Sequence, residues 1–241
     1  QIQPRGIEVS VGGEIGEVGS KNSTPEDLRA FMTGYQERLR KGRTGISKIS
    51  IQTGTSHGGV VLPDGSVAQV KLDFETLKTL SELARKEFGL GGAVQHGAST
   101  LPAEAFHKFA ETETAEVHLA TEFQNMIYES KHFPAELKAK IYEWLKVNAA
   151  AERKEGETEE QFFYKSRKKA LGPFKKEIMG LKAEVRDAIA KEVEAKFEFL
   201  FKQLNAVNNK QLVDKYIPLK RVIVRKRKEV GHVVHDGEGA D

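Results

Sequence analysis

The chain has 241 residues, enough to bury a sizeable hydrophobic core in one large domain or two small ones. Hydrophobic residues make up 39% of the chain and charged residues 30%, which is typical of a soluble globular protein and excludes a disordered or fibrous one. The formal net charge of +3 is small, so the composition gives no reason to expect nucleic-acid binding. No apolar run reaches the about 18 to 20 residues that a membrane-spanning helix needs, so we expect no membrane association.

The sequence contains no cysteine, which excludes disulfide bonds and thiolate metal ligands. Any metal ion would therefore be bound by histidine, aspartate or glutamate. This composition is compatible with a cytoplasmic protein, and we expect that location. The chain begins at Gln1 and its regular strand–helix pattern stops halfway along, which predicts a fragment of a longer protein.

The first half of the sequence contains four strand–loop–helix units in succession. Strands alternating with helices predict parallel strands joined by crossover connections. Four such units fit either a small open sheet or one half of an eight-stranded barrel. The predicted strands are residues 7–11, 46–52, 93–95 and 115–119, and the helices after them begin near Pro25, Phe74, Pro102 and Glu122.

The positions of reactive side chains favour the barrel. Glu14, His57, His96 and Thr121 each follow the end of a different predicted strand. In a (β/α)8 TIM barrel those four positions converge on the catalytic face, whereas a doubly wound sheet collects such residues mainly at one switch point. We therefore predict an α/β fold: the C-terminal half of a TIM barrel followed by an α-helical extension.

The rest of the chain is predicted to be helical, over residues 135–149, 158–171 and one long helix at 173–204. The long helix carries an apolar stripe that must pack on the barrel or on a partner subunit, which favours a homodimer or higher homo-oligomer. The predicted domains are the barrel half at 1–130, the helical extension at 131–210 and a basic tail at 211–241. The stripe consists of Ile178, Leu181, Val185, Ile189, Val193, Phe197 and Leu200.

Three residues at strand ends form a candidate metal site. Glu14 lies in a glycine-rich loop, and His57 and His96 are each followed by glycine and small residues that leave the imidazole accessible. Each of them alone also fits an ordinary surface glutamate or a loop histidine. Together, two histidines and one carboxylate suit a catalytic zinc ion with an open coordination position.

The loops after the two histidines also offer groups that bind anions. Backbone N–H groups and hydroxyls next to a helix N-terminus can hold a phosphate. A metal ion beside a phosphate site suggests a phosphorylated substrate whose carbonyl group the ion polarises.

The same segments carry a family resemblance. Residues 9–16 resemble the strand and metal-ligand glutamate of class II fructose-1,6-bisphosphate aldolases, and residues 54–58 and 96–99 are similar to two later His-Gly motifs of that family. Residues 116–124 resemble its Lys-x-Asn-x-(Asp/Asn)-Thr-Asp-x-Gln strand. The motifs occur in the family's order over residues 5–130.

The resemblance implies a zinc-dependent lyase of carbohydrate metabolism and glycolysis. Its expected reaction is the reversible cleavage of a ketose bisphosphate to dihydroxyacetone phosphate and an aldehyde, with a monovalent cation assisting near the phosphate. The implied zinc ligands are Glu14, His57 and His96; the implied phosphate contacts are Gly58, Gly97, Ser99 and Thr121; and His118 is a candidate substrate contact.

Several positions depart from the family pattern, and three of them bear on the substrate. Asn22 lies in a loop that is acidic in the family, His118 replaces an asparagine that contacts the substrate, and Ala120 replaces an aspartate or asparagine. The family's first metal-binding histidine and its acid/base aspartate come from an earlier strand that this sequence does not contain. Two alternatives therefore stay open: an aldolase for another ketose, such as tagatose bisphosphate or an unphosphorylated sugar, and a non-catalytic subunit that uses its helices for assembly.

Overall fold

The computed structural model describes residues 9–16, 21–54, 62–63, 68 and 71–217 of the chain. Val9–Val207 form one compact unit, and residues 208–217, which contain the helix Lys210–Tyr216, belong to a separate unit. The strands of the compact unit are β1 (Gly12–Glu14), β2 (Lys48–Ile51), β3 (Ala93–Gln95) and β4 (Glu116–Val117).

The compact unit also contains helices between and after these strands. Its α-helices are α1 (Pro25–Arg38), α2 (Phe74–Phe88), α3 (His107–Glu111), α4 (Thr121–Glu129), α5 (Ala135–Asn148), α6 (Glu159–Ser166), α7 (Lys175–Met179) and α8 (Ala183–Gln203). Short 3-10 helices lie at Ala98–Thr100, Ala103–Ala105, Ala150–Glu152 and Arg167–Leu171.

The four strands form one sheet in the order β1-β2-β3-β4, and every pair is parallel. This confirms the α/β class and the predicted succession of parallel strand–helix units. Neighbouring strands of a TIM barrel also follow one another in chain order, so the sheet has the topology of a partial barrel. Closure into eight strands stays a prediction.

The first strand lies further along the chain than predicted. We expected it at residues 7–11, of which 7 and 8 lie outside the described residues, and the structure has it at Gly12–Glu14. The first backbone hydrogen bond between this segment and β2 runs from Ser47 N to Val11 O at 2.8 Å, and Gly12 is the first residue paired in register, opposite Lys48.

One face of the sheet is buried under helices. Ile49, Ile51 and Ala93 point to this face and share a hydrophobic core with Leu28 of α1 and Leu80 of α2. Fully burying a side chain of the size of leucine or isoleucine contributes about 1.5 to 3 kcal/mol, so this core holds the strands in place. The opposite face carries the polar side chains described in the next subsection.

Local signals explain the bounds of the first two long helices. The Thr24 side chain accepts a hydrogen bond from Asp27 N and the Asp27 side chain accepts one from Thr24 N, a capping box that starts α1 as predicted. The hydrogen bonds that the Asp27 carboxylate accepts from Thr24 N and Thr24 Oγ1 lower the pKa of Asp27. Asp73 caps α2, and Gly89 ends it in the left-handed conformation at φ 65°.

The helical extension has a second hydrophobic core. In this core α4, α5 and α6 pack with the 3-10 segment after α6 and with the start of α8. Trp144 lies against the core residue Phe174, with 5.9 Å between the ring centroids. The predicted boundaries at 130 and 210 stay a prediction, although the two cores divide the compact unit near α4. The core residues include Tyr128, Phe133, Ile141, Leu145, Phe162, Phe163, Phe174 and Ile189.

Three predicted helices are wrong in extent. The helix expected from Pro102 is replaced by 3-10 turns and the short α3, and the long helix expected over 173–204 is divided into α7 and α8. The break follows Gly180, a residue of low helix propensity, and Lys182 leaves the helical conformation with ψ 147°. The helix expected over 158–171 likewise changes to a 3-10 segment at Arg167.

The apolar stripe of the predicted long helix packs within the chain itself. Leu200 belongs to the core under the sheet and Ile189 to the core of the extension, and Phe197 stacks on Phe123 of α4 with 4.5 Å between ring centroids. The chain thus supplies much of the surface that the stripe needs, and the homodimer stays a prediction. None of the helices in the described ranges combines the length and apolar character that crossing a bilayer requires.

Arg167 joins the extension to α4 through a buried guanidinium, of which 2% is exposed. Its Nη1 donates to Glu129 Oε1 at 2.5 Å, its Nη2 donates to Asn125 Oδ1 at 2.6 Å, and its Cζ lies 4.9 Å from the centre of the Tyr164 ring. The Tyr128 hydroxyl donates to the Arg167 carbonyl, and burial raises the pKa of Tyr128 to about 12.

Replacing this guanidinium should therefore destabilise the fold. We expect Arg167→Ala to lower the free energy of unfolding in urea by about 2 to 3 kcal/mol, less than for a fully buried pair because water can reach Glu129. Lys202→Ala, which breaks an exposed pair with Glu198, is the control and should leave stability nearly unchanged. Equal effects of the two substitutions would contradict a structural role for Arg167.

Candidate active site

The register of the sheet aligns a row of residues on its second face. Glu14 pairs with Ser50, Ser50 with Val94, and Val94 with Glu116. Residues paired in register point to the same face, and residues two positions further along a strand do so again. His96 and His118 follow Val94 and Glu116 by two residues, so they extend this row at the carboxyl ends of β3 and β4.

The two histidines are in contact. Their ring centroids are 4.2 Å apart with an angle of 46° between the ring planes. The backbone fixes this contact, because His118 N donates to Gln95 O at 2.9 Å and so continues the pairing of β4 with β3 beyond Val117. The structure therefore brings together a candidate zinc ligand and a candidate substrate contact that are 22 residues apart in sequence.

Glu116 connects His118 to a lysine on β2. One carboxylate oxygen of Glu116 pairs with Lys48 Nζ and the other is hydrogen-bonded to His118 Nε2. Burial raises the pKa of Glu116, but the hydrogen bonds and charges of Lys48 and His118 outweigh burial and hold that pKa below its usual value. An ionised carboxylate only accepts hydrogen bonds, so His118 Nε2 is the donor.

Sequence reasoning missed Lys48 and Glu116. One signal could have found them: both are charged residues inside predicted strands, and Glu116 precedes His118 by two positions and so shares its face. The pairing of Lys48 with Glu116, which are 68 positions apart, follows only from the sheet order.

The predicted zinc ligands are only partly placed. Glu14 is exposed at the end of β1, and His96 is half-buried on the same face, two strands across and two residues along. Standard strand spacing puts their Cα atoms about 12 Å apart. His57 and Gly58 lie outside the described residues, and the part of the chain that is described contains no group of three ligating side chains able to hold a metal ion. The zinc set stays a prediction.

The remaining predicted phosphate contacts lie close to one another. Gly97 adopts the left-handed conformation at φ 70° and starts the 3-10 turn Ala98–Thr100. The Ser99 hydroxyl accepts a hydrogen bond from Ala120 N at 3.2 Å, directly before Thr121 begins α4. The hydroxyl keeps its own proton for donation. The turn after β3 and the N-terminus of α4 therefore form one polar corner, while their binding of phosphate stays a prediction.

Asn22 has a structural role. Its Nδ2 donates to Asp73 Oδ2 at 2.9 Å, and Asp73 also caps α2 by accepting from Thr76 N at 3.0 Å. Asp73 N in turn donates to Thr53 O at 3.0 Å. The amide thus ties the loop after β1 to the start of α2. This contact explains a neutral side chain at a position where the family has an acidic loop.

A second contact fixes the same loop at the end of β2. Ser23 N donates to Gln52 O at 2.9 Å, and Gln52 N donates to Ser23 Oγ at 2.9 Å. Gly16 allows the close approach, since it has φ 78° and a Cβ there would lie 2.8 Å from Ser23 Oγ. The loop that follows Glu14 is therefore held against the neighbouring strand.

Polar side chains at the carboxyl ends of adjacent parallel strands define an α/β protein with an enzyme-like site. The chain matches the model of the family described as fructose-bisphosphate aldolase class-II over residues 4–205. It belongs to the class II fructose-bisphosphate aldolase family, whose members have a TIM-barrel fold and are generally metal-dependent, and this membership indicates aldolase-type lyase chemistry in carbohydrate metabolism. A comparison with curated proteins found no match.

The role of Asn22 is testable by adding a charge. Hydrogen bonds from Thr76 and Asn22 lower the pKa of Asp73, so Asp73 is ionised at neutral pH. Asn22→Asp would place a second carboxylate beside it, and we expect unfolding at pH 7 to show a loss of about 0.5 to 1 kcal/mol beyond that of Asn22→Ala.

The excess loss should shrink as the pH falls toward about 4, because the neighbouring Asp73 carboxylate raises the pKa of the introduced carboxylate in the folded state and makes it take up a proton there first. The lowered pKa of Asp73 also stabilises the fold at neutral pH. This contribution is lost at acid pH, and it is lost there in every variant. An Asn22→Asp penalty that is independent of pH would contradict the contact.

Proposed function

We propose that the chain supplies part of the active site of a zinc-dependent aldolase that reversibly cleaves a phosphorylated ketose, of the fructose-1,6-bisphosphate type, to dihydroxyacetone phosphate and an aldehyde. One observation carries the proposal: Glu14 ends β1, and His96 and His118 directly follow β3 and β4 at the carboxyl end of the same parallel sheet, with 4.2 Å between their ring centroids. Membership of the aldolase family supports it.

The donor chemistry of the chain fits a zinc ion. The chain has no cysteine, and a carboxylate, Glu14, and an imidazole, His96, lie at the carboxyl ends of β1 and β3 in the same parallel sheet. Glu14, His57 and His96 would hold the ion, an oxygen and nitrogen donor set that zinc accepts in catalytic sites. When bound, zinc polarises the carbonyl group of the ketose. A monovalent cation near the phosphate is proposed from the family resemblance alone.

The chain's own residues would bind and orient the phosphate. The N-terminus of a helix carries partial positive charge and free N–H groups, which favour an anion at the start of α4. Ser99 lies against that start through its contact with Ala120, and Thr121 adds a second hydroxyl there. Gly97 leaves the backbone before this turn without a side chain, and Gly58 would contribute a further N–H group.

His118 favours a variation in the sugar that is bound. The family has an asparagine at this position, whereas here an imidazole is hydrogen-bonded to Glu116. An imidazole presents ring nitrogens in place of an amide, so it reads the hydroxyl groups of a substrate differently. A second candidate function is therefore the same cleavage of another ketose, such as tagatose bisphosphate.

Metal binding can be measured directly on the full chain. A single catalytic site predicts about one zinc ion per chain by elemental analysis, lost in His57→Ala and His96→Ala and weakened in Glu14→Ala. His107→Ala is the matched control, because His107 lies on α3 and pairs only weakly with Glu111 at 3.5 Å. Unchanged zinc content in both histidine variants would show that the ligand assignment is wrong.

A substrate panel separates the candidate functions. Assayed in a polypeptide that also contains the strand with the family's acid/base aspartate, the chain should cleave fructose-1,6-bisphosphate, and chelation of the metal should abolish the cleavage. Faster cleavage of tagatose bisphosphate or of an unphosphorylated ketose would favour the second candidate. A protein that binds zinc but cleaves no ketose, even as part of a longer natural polypeptide, would instead be a non-catalytic subunit.

A further inference from the structure

Lys48, Glu116 and His118 form a series of three connected polar side chains on the polar face of the sheet. Lys48 of β2 pairs with Glu116 of β4, and Glu116 is hydrogen-bonded to His118. The exposed fraction of the side chain increases along this series, from 19% for Lys48 through 36% for Glu116 to 45% for His118. The series therefore leads from a covered lysine to an accessible imidazole.

Stability alone is a weak reason for such a pair. Removing a lysine and a glutamate from water costs about as much as their attraction returns, and apolar residues of similar volume often stabilise a protein more. Val94, which lies beside Glu116 in register, shows that this face also accommodates an apolar side chain. A charged pair on a face that can also hold apolar side chains is better explained by the side chain that it orients, which is His118.

The pair restrains the imidazole. Lys48 binds one oxygen of Glu116, which limits rotation of the carboxylate, and the other oxygen accepts from His118 Nε2. The partner of one ring nitrogen decides which nitrogen carries the proton, so this contact fixes both the tautomer and the ring plane. The other ring nitrogen, Nδ1, is left to contact a ligand, and the contact with His96 places the ring at the strand ends where substrate would bind.

We propose that Lys48 and Glu116 are positioning residues that hold His118 in one ring orientation and tautomer, so that its Nδ1 contacts a hydroxyl group of the ketose substrate. This inference rests on the proposed function for the identity of the ligand. Glu116 and His118 act as a unit, because His118 follows β4 two positions after Glu116 and the two side chains are hydrogen-bonded. Lys48 supplies the positive charge that Glu116 requires.

The orientation of the ring can be tested without activity. Histidine tautomers are resolved by long-range 1H–15N correlation spectra of the zinc-loaded full chain near pH 8.5, about two units above the usual histidine pKa. His118→Gln assigns the signal. We expect a single tautomer protonated at Nε2 in the wild type and in Lys48→Arg, and a mixture of tautomers in Lys48→Met and Glu116→Leu.

The contact with substrate is tested by steady-state kinetics on the same variants, assayed in the polypeptide used for the substrate panel. Lys48→Met and Glu116→Leu should raise KM for the ketose about tenfold, the effect of one weakened hydrogen bond, with a smaller change in kcat and unchanged zinc content. Lys48→Arg keeps the positive charge and should therefore have the same KM as the wild type. Lys86→Met, which breaks an exposed pair with Glu82, should change neither the spectrum nor KM.

The outcomes distinguish this inference from the proposed function. An unchanged tautomer in Glu116→Leu overturns the positioning role, whatever the enzyme cleaves. A changed tautomer with unchanged KM overturns the substrate contact. Zinc-dependent cleavage by the wild type together with an unchanged tautomer in the variants would leave the proposed function standing and refute only the inference. Lower thermal stability alone, with the spectrum and KM of the wild type, would show that the pair is merely structural.

Discussion

The parallel register of the four strands is the constraint on which the candidate site depends. It places Glu14, Ser50, Val94 and Glu116 in one row across the sheet. A slip of a single residue would turn such a row toward the helices, because side chains alternate between faces with a period of two. The core residue Ile49 resists that slip, since it would move out of the apolar layer under α1 and α2. Burial of apolar side chains on one face of the sheet thus fixes which side chains lie on the other face.

Polar groups join neighbouring units at the carboxyl ends of the strands. Asn22 binds Asp73, and the buried Thr53 Oγ1 donates to Gln95 Oε1 at 2.7 Å. A buried polar atom is costly when it lacks a partner, so these bonds are needed where the strands end and loops begin. They join residues at or just beyond the ends of three successive strands. A catalytic site on loops requires such support.

Elements with strong local signals were predictable from sequence. The strand Ala93–Gln95 has its predicted bounds and the helix Phe74–Phe88 begins where it was predicted, because short apolar runs and a helical apolar period are encoded locally. The division of the long helix after Gly180 was missed, since the apolar period continues across the break and hides the weak propensity of one glycine.

The site was predictable only as far as the order of the strands allowed. Neighbouring strand ends bring His96 and His118 together, as a barrel half requires. The pair of Lys48 and Glu116 was missed, because its 68-residue separation is bridged by two crossovers and depends on the register of three strands. Whether Glu14, His57 and His96 share one ion stays a prediction, because His57 lies outside the described residues.

Strand alternation also explains how this family member can differ in chemistry without differing in fold. Val117 lies between Glu116 and His118 and packs against the core under the sheet, while its two neighbours belong to the polar face. Replacing both neighbours leaves the apolar layer intact and changes only what faces the substrate. Lys48, on the same face two strands away, neutralises the carboxylate introduced by such a replacement. His118, which departs from the family pattern, is therefore at a position that the packing of the sheet leaves free to vary.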